Sequence, residues 1–178
     1  LDDVLPVIIE QGYEIVVDDR RKNEEMSFSV VTEDFWEGVT WPEGHIKAGE
    51  PIILRDYQVE VINQFISKPQ CLQEIATGAG KTIMTATMSK VVEKYGRSII
   101  IVPNKDLVRQ TEEDYTNCEL DVGVYFGDKK DHGKTHTICT WQSLNSLLKK
   151  TKKGEANIQE FIEDVCCVIV DETHQAKA

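Results

Sequence analysis

The chain has 178 residues, with 20 basic and 31 acidic side chains, a formal charge of −11 and 40% hydrophobic residues. That composition suits a folded domain with its own core and excludes a disordered or collagen-like chain. The excess of acid argues against a generic binder of phosphate backbones, and no apolar run approaches the roughly 20 residues of a membrane span. The acidity is uneven: residues 1–50 hold 13 acidic and 4 basic side chains, against 18 and 16 in the remainder. A local basic groove therefore stays open. The chain starts Leu1-Asp2-Asp3, without an initiator Met or a basic-then-apolar leader, and reads as a processed or internal piece of something longer. None of the five cysteines has C-x-x-C spacing, so they are expected to be buried, reduced thiols of a cytoplasmic protein.

In chain order, a short helix is expected over 3–11, capped by Asp2 or Asp3 and stopped at Gly12. Residues 13–17 read as a strand, 18–25 as a charged loop and 26–31 as a weak second strand. Turn signals fill 32–54, and Trp36 and Trp41 are expected in the core of this small region. A domain boundary is placed near residue 50, where the charge density changes. Helical spacing then covers 55–66. Residues 71–75 read as a strand, followed by a Gly-rich turn and a helix from about 80 to 95. Strands at 97–102, 122–126, 136–140 and 165–170 alternate with helices at 104–116, 142–149 and 155–163. Such alternation implies a mostly parallel sheet covered by helices on both faces. His132 and His136 are placed in a polar loop.

Two stretches carry chemistry. Ile75-Ala76-Thr77-Gly78-Ala79-Gly80-Lys81-Thr82 follows a strand and opens a helix. Its glycines let the backbone turn N–H groups inward, and the helix N-terminus adds partial positive charge. Lys81 can reach the β- and γ-phosphates of a nucleotide, and the Thr82 hydroxyl can ligate Mg²⁺. Ile75 stands where the strict phosphate-loop pattern wants Gly. The second stretch, Val168-Ile169-Val170-Asp171-Glu172-Thr173-His174, is an apolar strand ending in two acids. It sets them at the carboxyl edge of the sheet, where α/β folds bind ligands. Asp171 is assigned to Mg²⁺ and Glu172 to orienting and deprotonating an attacking water.

These residues resemble motifs I and II, the latter in its DExH form, of the first motor domain of superfamily 2 helicases and translocases. Leu54-Arg55-Asp56-Tyr57-Gln58 is similar to the glutamine motif of that group. The resemblance implies that Gln58 reads the adenine edge, with Arg55 also at the nucleotide. Val102-Pro103-Asn104-Lys105-Asp106-Leu107-Val108-Arg109-Gln110 resembles motif Ia, and Thr140-Trp141-Gln142-Ser143-Leu144 a later strand-end motif. Together they imply nucleic-acid contacts at Pro103, Asn104, Lys105, Arg109, Gln110, Thr140, Gln142 and Ser143. Trp141 is expected to pack behind its motif, and His174 to couple the nucleotide site to later motifs. The nearest likeness is to phage helicases of the UvsW type, which remodel recombination and stalled-fork DNA; restriction-enzyme motors and transcription-repair helicases share much of the pattern.

The resemblance implies a RecA-like P-loop NTPase fold behind a small α+β region at 1–50. The cofactors implied are ATP and Mg²⁺, held also by Thr77, Gly78, Ala79 and Gly80, and the partner is branched or duplex DNA, with RNA left open. It further implies that 51–178 is an incomplete first domain, lacking motif III and the second RecA-like domain that hydrolysis needs. The strand of motif III lies between the phosphate-loop and motif II strands, so a gap is expected there and the chain alone is expected to be inactive. A non-catalytic binding module on a P-loop scaffold and a small-molecule phosphotransferase are the competing readings. The run Lys149-Lys150-Thr151-Lys152-Lys153 is as compatible with a solvated loop as with phosphate binding.

Overall fold

The computed structural model describes residues 5–14, 16, 26–68 and 70–173. Its centre is a five-stranded sheet of β1 (Arg97–Val102), β2 (Val122–Phe126), β3 (Lys129–Lys130), β4 (His136–Thr140) and β5 (Val165–Val170). The order is β3-β2-β4-β1-β5; β2 and β3 are antiparallel and the other pairs parallel. The helices are α1 (Leu5–Glu10), α2 (Asp56–Ser67), α3 (Lys81–Val92), α4 (Lys105–Asn117), α5 (Trp141–Lys152) and α6 (Ile158–Ile162). The expected α/β class, a mostly parallel sheet with helices on both faces, is what forms.

Strand alternation divides the core in two. Ile100, Val102, Val124, Phe126 and Ile138 join one cluster with residues of α2, α3 and α4. Their neighbours Ile99, Ile101, Tyr125 and Cys139 join Leu147 of α5 and Phe161 of α6 in the other. Near-continuous apolar strands such as Ser98-Ile99-Ile100-Ile101-Val102 follow from burial on both faces.

Two expected strands do not form, and a third shows no strand at its described residues. Tyr13, Glu14 and Val16 carry no regular structure and are exposed; the rest of that strand, the charged loop at 18–25 and the caps Asp2 and Asp3 lie outside the described residues. Residues 26–31 are held by side chains instead of a ladder. The Asn63 carboxamide accepts from Val31 N at 2.9 Å and donates to Val31 O at 2.8 Å, and the Tyr95 hydroxyl lies 2.6 Å from both Ser27 N and O. Residues 71–76 also lack a ladder. Their anchor is the Gln73 carboxamide, which donates to Val61 O at 2.8 Å. A cavity of about 1210 Å³ separates this segment from the outer edge of β5. A gap was expected at this place in the sheet, and without an adjacent strand the 71–76 backbone has nothing to pair with.

The acidic segment shares the main core. Its Val31 and Trp36, with Ile52 and Leu54 just past the boundary, are each at most 4% exposed and belong to the cluster that holds Ile62 and Met84. The Trp36 indole donates to Thr87 Oγ1 of α3 at 2.9 Å. Trp41 stacks on His45 with centroids 4.1 Å apart, at the rim of that cluster. Trp36→Ala is therefore expected to cost about 3–5 kcal/mol, read as a lower denaturant midpoint. A loss under about 1 kcal/mol would mean that this segment contributes little to the fold.

His136 opens β4 and is fully buried, which corrects its assignment to a polar loop. Its Nδ1 lies 2.8 Å from the Ser98 hydroxyl, which donates to Ser89 Oγ at 3.2 Å; Ser89 in turn shares a hydrogen bond with the Tyr115 hydroxyl. Nε2 sits 3.8 Å from Glu93 Oε2, which is itself ion-paired with Lys90 Nζ at 2.8 Å, and among the described residues Nε2 has no hydrogen-bond partner. Burial pushes the imidazole below its ordinary pKa, opposed by Glu93 and, more weakly, Asp121, and assisted by Lys90. The fold thus prefers neutral His136. The unfolded chain takes up more protons between an unfolded pKa of about 6.5 and the lower folded value, so stability falls as pH falls through that window. The expected slope is at most about 1.4 kcal/mol per pH unit, and His136→Asn should flatten it in urea titrations at several pH values. An unchanged slope would remove His136 as its source.

Cys118, Cys139 and Cys167 are buried, and burial pushes each thiol to about 12. Cys71 departs from the expectation: it is exposed, because its segment stands outside the sheet. No described helix is long and apolar enough to cross a membrane.

Candidate nucleotide site and nucleic-acid interface

The phosphate loop ends on Gly80, which caps α3 with φ 79°, and Gly78 has φ 81°. The φ of Gly80 calls for glycine, and a Cβ there would stand 2.6 Å from Gln58 Nε2 and push that side chain aside. α2 braces the loop at one carbonyl. Gln58 Nε2 and the Tyr57 hydroxyl each donate to Ala79 O at 2.9 Å. Gln58 Oε1 accepts from Arg55 N at 2.9 Å, and Arg55 Nη1 donates to the Tyr57 hydroxyl at 2.8 Å. The Gln58 carboxamide, 5% exposed, keeps one N–H and one lone pair uncommitted. Motif spacing gave no sign that Tyr57 would join this brace.

The motif II acids follow β5. Asp171 N donates to Ile101 O at 2.9 Å, extending the ladder by one bond, and Glu172 N donates to Asp171 Oδ1 at 3.0 Å. Glu172 has φ 51°, a left-handed conformation that costs a non-glycine residue energy and recurs at functional sites. The turn brings Glu172 Oε1 to 2.5 Å from Lys81 Nζ. That hydrogen bond raises the Lys81 pKa, burial opposes it, and the Asp171 and Glu172 charges add to it. Lys81, Asp171, Glu172, Ala76 and Thr77 line the cavity beside β5.

Not every expected ligand joins them. Gly78, Ala79, Gly80 and Thr82 do not line this cavity. The Thr82 hydroxyl instead lies on Asp114, whose pKa burial raises and that contact lowers. His174 lies outside the described residues. The donor set nevertheless suits a magnesium nucleotide. An ammonium, a carboxylate and the N-terminus of α3 meet at one sheet edge, with oxygen donors of the kind that Mg²⁺ takes.

A second cavity of about 580 Å³ opens where α4 and α5 begin. Pro103, Asn104, Lys105, Arg109, Thr140, Gln142 and Ser143 line it, seven of the eight residues assigned to nucleic acid. Gln110 is exposed elsewhere on α4. The turn between β2 and β3 adds Gly127 and Asp128, which no motif marks, and β3 adds Lys129. Both helices are capped by side chains: Asn104 Oδ1 accepts from Asp106 N and Leu107 N, and Thr140 Oγ1 from Ser143 N. Trp141 is 37% exposed and does not line the cavity.

A phosphate loop before α3, two acids after β5 and this strand order define a P-loop domain with the RecA-like fold found in helicase motors. The chain belongs to the family of the type III restriction enzyme res subunit, whose model matches residues 51–178. A DNA 3'-5' translocase XPB2 of Sulfurisphaera tokodaii is 30% identical over 95 residues, 53% of this chain and 21% of its own length. The crystal structure of the UvsW helicase from bacteriophage T4 superposes with a TM-score of 0.70 at 15% identity, over 99% of this chain and 62% of that one. A second T4 UvsW structure matches with a TM-score of 0.58 at 14% identity, over 95% and 44% of the two chains. The structural likenesses bear out the expected RecA-like fold, that of the UvsW helicase. The chain spans about a fifth of the translocase's length and less than two thirds of either UvsW chain.

Proposed function

We propose that this chain is the ATP-binding part of a DNA helicase or translocase motor, binding Mg-ATP beside β5 and DNA at the α4–α5 cavity. One observation carries the reading: Lys81 and Glu172, 91 residues apart in sequence, meet at 2.5 Å in one cavity with Asp171. A cation and two acids converging at the carboxyl edge of a parallel sheet suit phosphate chemistry.

Lys81 would hold the terminal phosphates and Asp171 the metal, while the α3 N-terminus and the turned N–H groups of the loop orient the anion. Bound Mg²⁺ supplies charge neutralisation on the phosphate oxygens. Glu172, released from Lys81 by the incoming phosphates, is placed to orient water and accept its proton. Hydrolysis is assigned to the longer protein, in which a further strand fills the gap beside β5 and a second motor domain closes the site. On that reading the 178 residues bind nucleotide without appreciable turnover, and 1–50 is an accessory segment carried on the motor core. DNA stimulation of ATP hydrolysis by the full-length protein tests the assignment, and a rate indifferent to DNA would refute it.

Gln58 is assigned two roles, bracing Ala79 and reading adenine with the N–H and lone pair it has left. Gln58→Ala is expected to weaken ATP and GTP alike through the loop, and ATP further, so selectivity relaxes. Equal losses for both nucleotides would leave Gln58 the brace alone.

The non-catalytic reading draws on the engaged state of Lys81 and on Thr82 lying against Asp114. DNA binding without any ATP affinity would favour it.

A further inference from the structure

Charge collects where the function proposed above does not use it. Residues 129–153 hold seven lysines and one acid, Asp131, in a chain whose formal charge is −11. Lys134 pairs with Asp121 at 3.0 Å and Lys129 lies 3.8 Å from Glu112. Among the described residues, no carboxylate lies within 4.0 Å of Lys130, Lys149, Lys150, Lys152 or Lys153, all of them exposed. A helix C-terminus favours a cation by about 0.3–1 kcal/mol, which accounts for one or two of the four lysines ending α5. Four within five residues also repel one another, and among the described residues no carboxylate within 4.0 Å offsets that.

Their position is specific. α5 starts in the nucleic-acid cavity, with Thr140, Gln142 and Ser143 in its lining. Ser143 and Lys150 are two turns apart on the same face, about 10 Å along the axis. Leu144 and Leu147 turn to the core. Lys130 follows Lys129, which lines the cavity, and its ammonium lies 4.2 Å over the Tyr125 ring. Tyr125 belongs to the cluster that holds Leu147, so Lys130 stands on the sheet face that α5 covers. Burial and then the Lys150 charge lower the Lys130 pKa, as expected of neighbouring ammonium groups.

We propose that Lys130 and the lysines at the end of α5 form a second contact surface, continuous with the α4–α5 cavity, for the phosphate backbone of duplex DNA. The surface rests on the nucleic-acid reading of that cavity. It extends the track by about 10 Å, some three steps at the 3.4 Å phosphate spacing of one strand. It would grip an arm of DNA beyond the bases held in the cavity.

The test compares three forms of the chain by fluorescence anisotropy against a 30-base-pair duplex and a single-stranded hexanucleotide over a range of salt. The forms are wild type, a fivefold variant (K130Q, K149Q, K150Q, K152Q, K153Q) and a cavity variant (K105A, R109A). All five glutamine positions are exposed, so the fold should persist, and circular dichroism checks it. The fivefold variant should bind the duplex at least tenfold more weakly at low salt. Its salt slope should fall by about 2–4, since each phosphate contact contributes about 0.9. Its hexanucleotide affinity should stay within twofold, while the cavity variant loses both ligands. Unchanged duplex affinity and slope in the fivefold variant, with binding lost in the cavity variant, would overturn the second surface and leave the cavity reading intact. No binding by wild type would overturn both. Polyglutamate bound by wild type as tightly as duplex would assign the lysines to an acidic protein instead.

Discussion

Replacing Lys81 with alanine is expected to raise the dissociation constant for Mg-ATP at least tenfold without unfolding the chain. A hydrogen bond to a charged group contributes about 1.5–3 kcal/mol, or about 10–100-fold in affinity. Lys81 is well placed to make such bonds: it stands at the first position of α3, directly after the αL glycine that turns the loop. Its side chain lines the cavity beside β5, so truncation removes little core packing. The ion pair to Glu172 lowers the net effect, because a nucleotide must displace that carboxylate in the wild-type protein. Calorimetric titration with Mg-ATP reads the change. Unaltered affinity would remove the phosphate loop from the account.

Glu172→Gln separates binding from chemistry. Turnover by the full-length motor is expected to fall by about 10²–10⁴, the usual contribution of a positioned acid or base. Binding should persist or tighten, since the neutral amide no longer competes as an anion for Lys81. This combination distinguishes a base from a residue that merely supports the loop, whose loss would weaken binding. Hydrolysis at the parent rate would show that Glu172 is not the base.

The regular part of the fold was legible because its signals are local. Residues 97–102 form a continuous apolar run, and Asn104 and Thr140 stand at the starts of α4 and α5 as side-chain caps. Both cavities follow from motif order, since a parallel sheet sends every strand end to the same edge. What escaped reading depends on distant partners. Residues 71–75 have strand composition yet form no strand, because a ladder needs a neighbour and the β5 edge lies across a cavity. The Asn63 carboxamide takes the place of a strand partner for Val31, which no periodicity encodes. His136 looked polar by its neighbours in sequence, while its neighbours in space are a buried serine–tyrosine chain and Glu93. The Gln58 motif was visible, but its grip on Ala79 depends on the close approach of α2 to a glycine with no Cβ.

The central claim is that one site, at the start of α3 and the end of β5, receives the phosphates of a nucleotide. Backbone amide chemical-shift mapping of the 178-residue chain during titration with Mg-ATP tests it most directly. The account predicts the largest saturable shifts at Gly78–Thr82 and at Asp171–Glu172, absent in Lys81→Ala. Saturable shifts centred elsewhere, or none at millimolar Mg-ATP, would contradict it.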